Sequence, residues 1–240
     1  MIKAVFFDAF GTLFDLRDSH PKVIEDILKE LGREEIGVKN FHREWDLRFL
    51  SIACQISKSH FIPTRDIFKE SLRSGLKKYS IEVSEEQIQR FLDKTFEVFK
   101  ESIQLYEDAY EILNFTKNLH VKLGLISDSD ADLLRSLLEK FNLTRLFDAI
   151  IISDEVKAMK PNPQIFKQAL TEVNCHPKET VMIGDSLQDV KGAQTLGMIT
   201  VLILRRQRNL GNIKPDYVIT DLRDFKNILL KLIKQRQELL

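Results

Sequence analysis

Four short segments of this sequence carry residue types able to do chemistry together. The first runs Phe7-Asp8-Ala9-Phe10-Gly11-Thr12. A carboxylate such as Asp8, at the end of an apolar run, can attack phosphorus or carbon, and Gly11 and Thr12 let the loop turn and expose backbone amides. In the second, Leu125-Ile126-Ser127-Asp128-Ser129, a hydroxyl and amides ahead of a helix can hold an anionic oxygen. The third, Lys160-Pro161-Asn162-Pro163, sets an ammonium on a stiff loop, because the prolines defer the helix until after the lysine. Lys157 competes for that role. The fourth, Ile183-Gly184-Asp185-Ser186-Leu187-Gln188-Asp189, sets two carboxylates four residues apart, and such oxygen ligands suit Mg2+, a hard cation. Taken singly, each segment has a plainer reading: a polar turn after a strand, Ser and Asp as helix caps, a solvated lysine. Capping accounts for Asp185 but less readily for Asp189 as well.

The segments can cooperate only if the fold gathers them. Ile2 to Phe7 reads as a short buried strand, and Val121 to Ile126, Ala149 to Ile152, Thr180 to Ile183 and Thr200 to Leu204 repeat the pattern. Helical patterns separate them, over roughly 106–118, 129–140, 162–173 and 186–196. This alternation predicts an α/β fold, a Rossmann-like parallel sheet with helices on both faces. In such sheets the ligand crevice lies at the carboxyl ends of the strands, where all four segments are expected.

Residues 16–101 break the alternation. Val23, Ile24, Ile27, Leu28 and Leu31 fall at helical spacing, with Pro21 near the start and Gly32 just past the end. Residues 41–56 and 64–78 read as two more helices, and Ser84-Glu85-Glu86-Gln87 reads as a capping box opening a fourth. The expected organisation is a core from residues 1–15 and 102–240, interrupted by an all-helical insert at 16–101.

Composition narrows the partners. Thirty-six Lys plus Arg balance 36 Asp plus Glu, so nothing suggests a nucleic-acid footprint. With 240 residues, 43% hydrophobic and 30% charged, the chain suits a soluble protein with a substantial core. Basic Lys231, Lys234 and Arg236 alternate with Leu and Ile, as on a solvated helix face. No run approaches the ~18 apolar residues of a membrane helix, and Asp8 interrupts the only apolar N-terminal patch. A cytoplasmic protein without membrane or nucleic-acid partners is expected. Cys54 and Cys175 lie far apart without metal-type spacing. They are expected to be two buried thiols, with a disulfide as the alternative.

In order and spacing, the four segments resemble the signature motifs of the haloacid dehalogenase (HAD) superfamily, across residues 5–15 and about 120–205. The tail Asp216-Tyr217-Val218-Ile219 resembles the family's last strand. The insert resembles the cap of the subclass that places it between motifs one and two. The resemblance implies a hydrolase acting on a small organic phosphate, with Asp8 as the nucleophile of an aspartyl intermediate. It implies that Ser127, Asp128 and the backbone around Thr12 bind the transferred group, and that Lys160 stabilises charge on nucleophile and phosphate. Mg2+ would sit on Asp8, Asp185 and the backbone carbonyl of Phe10, with Asp189 supporting the metal site or orienting Lys160. Three carboxylates packed together repel strongly at low dielectric, and Lys160 with Mg2+ would offset them.

Three departures bear on the reaction. Family phosphatases usually carry a second aspartate, a general acid, where this chain has Phe10, and such catalysis is typically worth ~10²–10⁴ in rate. The dehalogenases share an aromatic residue there, since halide leaves without a proton. They lack the Gly184-Asp185 pair kept here, and they carry a tyrosine where this chain has Phe166. The metal motif favours phosphoryl transfer, with a 2-haloacid dehalogenase as the alternative. Phosphonate cleavage using a cap lysine (Lys58, Lys69, Lys77 or Lys78) and a non-catalytic binder of phosphorylated metabolites are further readings. Asp128 replaces the family's usual asparagine. Phe41, Trp45 and Arg48 are candidate specificity contacts, because aromatic and cationic groups suit a small organic anion; the competing reading makes Trp45 core and Arg48 solvated.

Overall fold

The computed structural model describes residues 1–16, 19–56, 61–205 and 212–234, with only the backbone at 54–56. The chain begins with β1 (Ala4–Phe7) and a two-residue strand β2 (Phe14–Asp15). Four helices follow: α1 (Ser19–Glu30), α2 (Val38–Ile56), α3 (Thr64–Lys78) and α4 (Glu85–Ser102). Then come β3 (Gln104–Leu105), α5 (Ala109–Asn118), β4 (Lys122–Ser127), α6 (Ala131–Lys140), β5 (Ala149–Ile152), α7 (Ser153–Val156) and α8 (Pro163–Val173). The last elements are β6 (Thr180–Gly184), α9 (Leu187–Leu196), β7 (Ile199–Ile203), β8 (Tyr217–Ile219) and α10 (Phe225–Lys234).

A strand covered on both faces must be apolar throughout, and β1 is buried at every position. It lies inside a six-stranded sheet of order β5-β4-β1-β6-β7-β8, in which every pairing is parallel. Its alternate residues enter different cores. Val5 and Phe7 join Leu125, Ile183 and Val201 under α5, α6 and α10, while Ala4 and Phe6 join Ile151 and Met182 under α8. The resembled last strand is β8, at the sheet edge next to β7.

Helices α1–α4 pack around an apolar cluster of their own, which includes Ile24, Phe41, Trp45, Leu76 and Phe91. The Ser84 capping box forms as expected: the Gln87 N–H donates to Ser84 Oγ at 3.2 Å and the Ser84 N–H to Gln87 Oε1 at 2.9 Å. Not foreseen is the antiparallel ribbon of β2 with β3, where the chain leaves for these helices and returns. Strands of two residues are too short to leave a periodic signal.

The predicted helix starts at 106 and 129 lie early, since α5 and α6 begin behind Asp108 and Asp130. The short helix α7 was also unforeseen. It places Lys160 on a loop beyond a helix rather than directly at the end of β5. Cys175 is half-buried rather than buried, in the loop after α8, where its thiol donates to the Val173 carbonyl at 3.4 Å. The Cys54 side chain, Lys58 and Arg236 lie outside the described residues.

Candidate active site

Parallel pairing brings the carboxyl ends of β1, β4 and β6 side by side, and three of the four segments arrive there on adjacent strands. Asp8 follows β1 directly, its N–H donating to the Ile183 carbonyl of β6 at 2.8 Å. Asp8 is 5% exposed, as is Lys160. The Lys160 ammonium donates to Asp8 Oδ1 at 2.5 Å, to Asp189 Oδ1 at 2.6 Å and to the Ile126 carbonyl at 3.3 Å. The Thr12 hydroxyl donates to Asp8 Oδ2 at 3.2 Å. Ser186 holds the other Asp189 oxygen, through its N–H at 3.0 Å and its hydroxyl at 2.5 Å. Carboxylate oxygens of Asp8, Asp185 and Asp189 lie within 4.8 Å of one another.

Two glycines make this approach possible. Gly11 has φ +85°, and a Cβ there would stand 2.6 Å from Asp185 Oδ2. A Cβ on Gly184 would stand 2.3 Å from Asp189 Cγ. Any side chain at either position displaces a carboxylate of the cluster.

Lys160 bonds two of the three carboxylates, Asp8 and Asp189. Burial pushes the Asp8 carboxyl well above its ordinary value, and Asp189 and Asp185 add to the rise against the pull of Lys160. Burial also works against the Lys160 charge, but Asp189, Asp8 and Asp128 outweigh it and hold the ammonium well above its ordinary value. The lysine is therefore charged. The candidate side-chain ligands are carboxylate oxygens, donors of the kind that Mg2+ takes.

Ser127 and Asp128 stand at the end of β4, the strand beside β1. The Ser127 hydroxyl, at the end of β4, is buried without a hydrogen-bond partner among the described residues. Asp128 accepts the backbone N–H of Lys160 at 3.0 Å. It thereby fastens the loop that carries the lysine, a task an asparagine carbonyl could also perform. Burial raises its carboxyl to about 6.

A cavity of about 430 Å³ lies between the cluster and helices α1–α4. Phe10, Asp128 and Asp185 border it on the sheet side; Trp45, Phe68 and Phe99 border it from the helices. His20 also lines it, and burial lowers that imidazole to about 4, helped by the neighbouring His42. The ring is neutral at pH 7. It stacks on His42 and Phe68 and meets Phe99 and Trp45 edge-on.

A family profile described as haloacid dehalogenase-like hydrolase matches residues 2–197. The chain belongs to the haloacid dehalogenase-like hydrolases. It is similar to pyrophosphatase PpaX of Bacillus velezensis, at 26% identity, with 95% of this chain and 96% of that protein covered. It is equally similar to (S)-2-haloacid dehalogenase 4A of Burkholderia cepacia, at 26% identity, with 96% and 93% covered. Among solved structures, the HAD phosphatase from Thermococcus onnurineus is 28% identical, with 95% of this chain and 98% of that chain covered and a TM-score of 0.66.

Several residues of this HAD-like hydrolase lie away from the cavity lining. Phe166 is fully buried on the opposite face of the sheet, where a Cβ on Gly192 would come within 2.1 Å of its ring. Its difference from tyrosine is therefore a matter of core packing. Phe41 is core among the four helices, and Arg48 pairs with Glu44 at 2.7 Å; of the three candidate specificity contacts, Trp45 alone lines the cavity. Lys157 is exposed and pairs with Asp154 at 2.9 Å, whereas Lys160 meets Asp8 and Asp189. Lys69 and Lys78 are engaged with Glu85 and Glu44.

Motif reading missed Arg205. It grips Asp108 with two bonds of 2.7 Å, donates to the Thr12 carbonyl at 2.9 Å, and lies 3.8 Å over the Tyr106 ring. It thus ties the loop after Asp8 to the end of β7. Asp108 and Arg205 are far apart in sequence, and no spacing rule connects them.

Proposed function

We propose that the protein is a cytoplasmic, Mg2+-dependent phosphohydrolase that cleaves a small organic phosphate through a phosphoryl group carried on Asp8. The observation behind this reading is the meeting of Asp8, Asp185 and Asp189 oxygens within 4.8 Å beside Lys160, which bonds two of them. In this reading Asp8, Asp185 and the backbone carbonyl of Phe10 hold the ion, while Asp189 orients Lys160. Bound there, Mg2+ supplies Lewis acidity and a template for the transferring group. Residues 1–15 and 102–240 form the catalytic core, and 16–101 act as a cap over the cavity.

The rest of the chemistry belongs to the chain's own residues. An oxygen of Asp8 attacks phosphorus, and the bond to the leaving oxygen breaks, that oxygen keeping the electron pair. Lys160 offsets negative charge on Asp8 and the phosphoryl group, and the Ser127 hydroxyl and the backbone around Thr12 hold non-bridging oxygens. Water then attacks phosphorus, releasing inorganic phosphate and restoring the Asp8 carboxylate. Phe10 offers no proton to the leaving oxygen, which restricts the reaction to groups that leave readily as anions.

Two observations favour the dehalogenase reading: the apolar Phe10 on an aromatic-walled cavity, and the 26% identity to (S)-2-haloacid dehalogenase 4A. A panel of phosphate esters and 2-haloacids, each run with Mg2+ and with chelator, separates the two. Phosphate release that disappears with chelator is the expected result. Halide release that ignores chelator, with no phosphate released, would make the protein a dehalogenase.

Phe10→Asp tests the missing acid directly. The variant is expected to raise turnover of an alkyl phosphate relative to an aryl phosphate by roughly 10²-fold, the lower range of general acid catalysis. Its rate ratio is compared with the wild type after circular dichroism confirms folding, because the change adds a carboxylate to an acidic site. An unchanged ratio in a folded variant means that another group already serves as the acid.

A further inference from the structure

Residues 9–14, the turn that follows Asp8, form one bonded unit. The Leu13 and Phe14 N–H groups donate to the Ala9 carbonyl at 2.8 and 2.9 Å, and the Gly11 N–H donates to the Phe14 carbonyl at 2.8 Å. The Thr12 hydroxyl ties the unit to Asp8 Oδ2. Two adjacent carbonyls have partners beyond it. That of Thr12 accepts from Arg205 Nη2 at 2.9 Å, and that of Leu13 accepts the Tyr106 N–H at 2.9 Å. Both contacts converge on one guanidinium, because Arg205 also lies 3.8 Å over the Tyr106 ring.

The guanidinium is itself held. Its two terminal nitrogens donate one to each oxygen of Asp108, both at 2.7 Å, and Asp108 Oδ2 also accepts the Leu222 N–H at 2.7 Å. The Arg205 and Asp108 side chains are 14% and 2% exposed. A buried ion pair is weak support for stability, since well-packed apolar side chains of similar volume often serve as well. What a bidentate arginine–carboxylate pair adds is a fixed direction, and here the direction is onto the Thr12 carbonyl.

We propose that Arg205 is a positioning residue with Asp108 as its anchor: together they set the 9–14 turn, and through it the Asp8 carboxylate and the amides around Thr12, for attack on phosphorus. This rests on the phosphohydrolase reading and adds to it two residues outside the acidic cluster. Asp108 stands outside the cavity lining, so its effect on turnover passes through Arg205 and the turn rather than through contact with substrate.

The test compares Arg205→Lys, which keeps the charge but loses the planar fork, with Asp108→Asn, which keeps an oxygen for the Leu222 N–H. Each is expected to lose about ten- to a hundredfold in kcat on an aryl phosphate, with KM changed by less than about threefold, as a small misplacement of reacting groups does. A merely structural staple would lower the melting temperature and leave kcat of the folded enzyme unchanged. The double variant should lose about as much as the worse single variant, because both changes act on one contact. Amide hydrogen exchange reads the turn without substrate. Leu13 and Phe14 should exchange about tenfold faster in Asp108→Asn, the worth of one hydrogen bond to a charged group, while the amides of β1 keep the wild-type rate. Unchanged kcat in the folded variants, losses that multiply in the double variant, or unchanged exchange in the turn would overturn the proposal. Should Arg205→Lys not fold, Asp108→Asn carries both readouts. Should the wild type release no phosphate, the phosphohydrolase reading fails instead. The exchange rates then still decide whether Arg205 and Asp108 set the turn: faster exchange supports it, and unchanged exchange overturns it.

Discussion

Replacing Asp8 by asparagine is expected to lower turnover by about three orders of magnitude or more, as removing the nucleophile of a catalytic unit does. The amide keeps the shape and one carbonyl oxygen but cannot form the covalent intermediate. The fold should survive. In the folded chain the Asp8 carboxyl is raised well above its ordinary value by burial, with Asp189 and Asp185 adding to it. A carboxyl raised on folding contributes stability that is complete below its unfolded value and lost as pH rises through its folded value. Metal-free wild type at pH 7–8 therefore carries a cost that Asp8→Asn lacks, and the variant should melt at or above the wild type there. Mg2+, which binds the folded state, should raise the melting temperature of the wild type more than that of the variant. Steady-state kinetics and thermal melts with and without Mg2+ read both parts, and turnover within a few-fold of wild type would remove Asp8 from the nucleophile's role.

Lys160→Met is expected to be the most destabilising single change at the site. It leaves Asp8 and Asp189 buried without their ammonium partner, and removing one member of a buried ion pair typically costs about 3–5 kcal/mol. Methionine matches the length of the chain, so the loss is electrostatic rather than steric. The denaturant midpoint should fall with its slope unchanged, and saturating Mg2+ should recover part of the loss by offsetting the same carboxylates. Lys157→Met is the control. Its exposed pair with Asp154 should contribute no more than ~1 kcal/mol. Equal effects of the two changes would mean that Lys160 does not hold the acidic cluster together.

Both predictions concern residues that the sequence alone picks out, and the reason lies in the type of order involved. A parallel strand buried on both faces has to be apolar, so β1 and β6 announce themselves, and a polar residue that ends such a run is conspicuous. Asp8, Ser127 and Asp185 are readable for that reason. The alternation of strand and helix then sends them to one edge of one sheet. Helices α1–α4 are equally legible, because their apolar spacing and the Ser84 capping box are local.

What lies across the cavity is different. Thr64 is the first residue of a helix and Asp130 the residue before another, and each reads as an ordinary cap or turn residue. The sequence carries no sign that the Arg65 N–H joins them, nor that they line one cavity with Trp45 and His20. The grip of Arg205 on Asp108 is of the same kind. Periodicity, capping and turn chemistry are written within a few residues of one another and survive in the sequence alone. The wall of the cavity between the sheet edge and helices α1–α4 is made by side chains far apart in sequence, so their partnership exists in the tertiary structure and nowhere else.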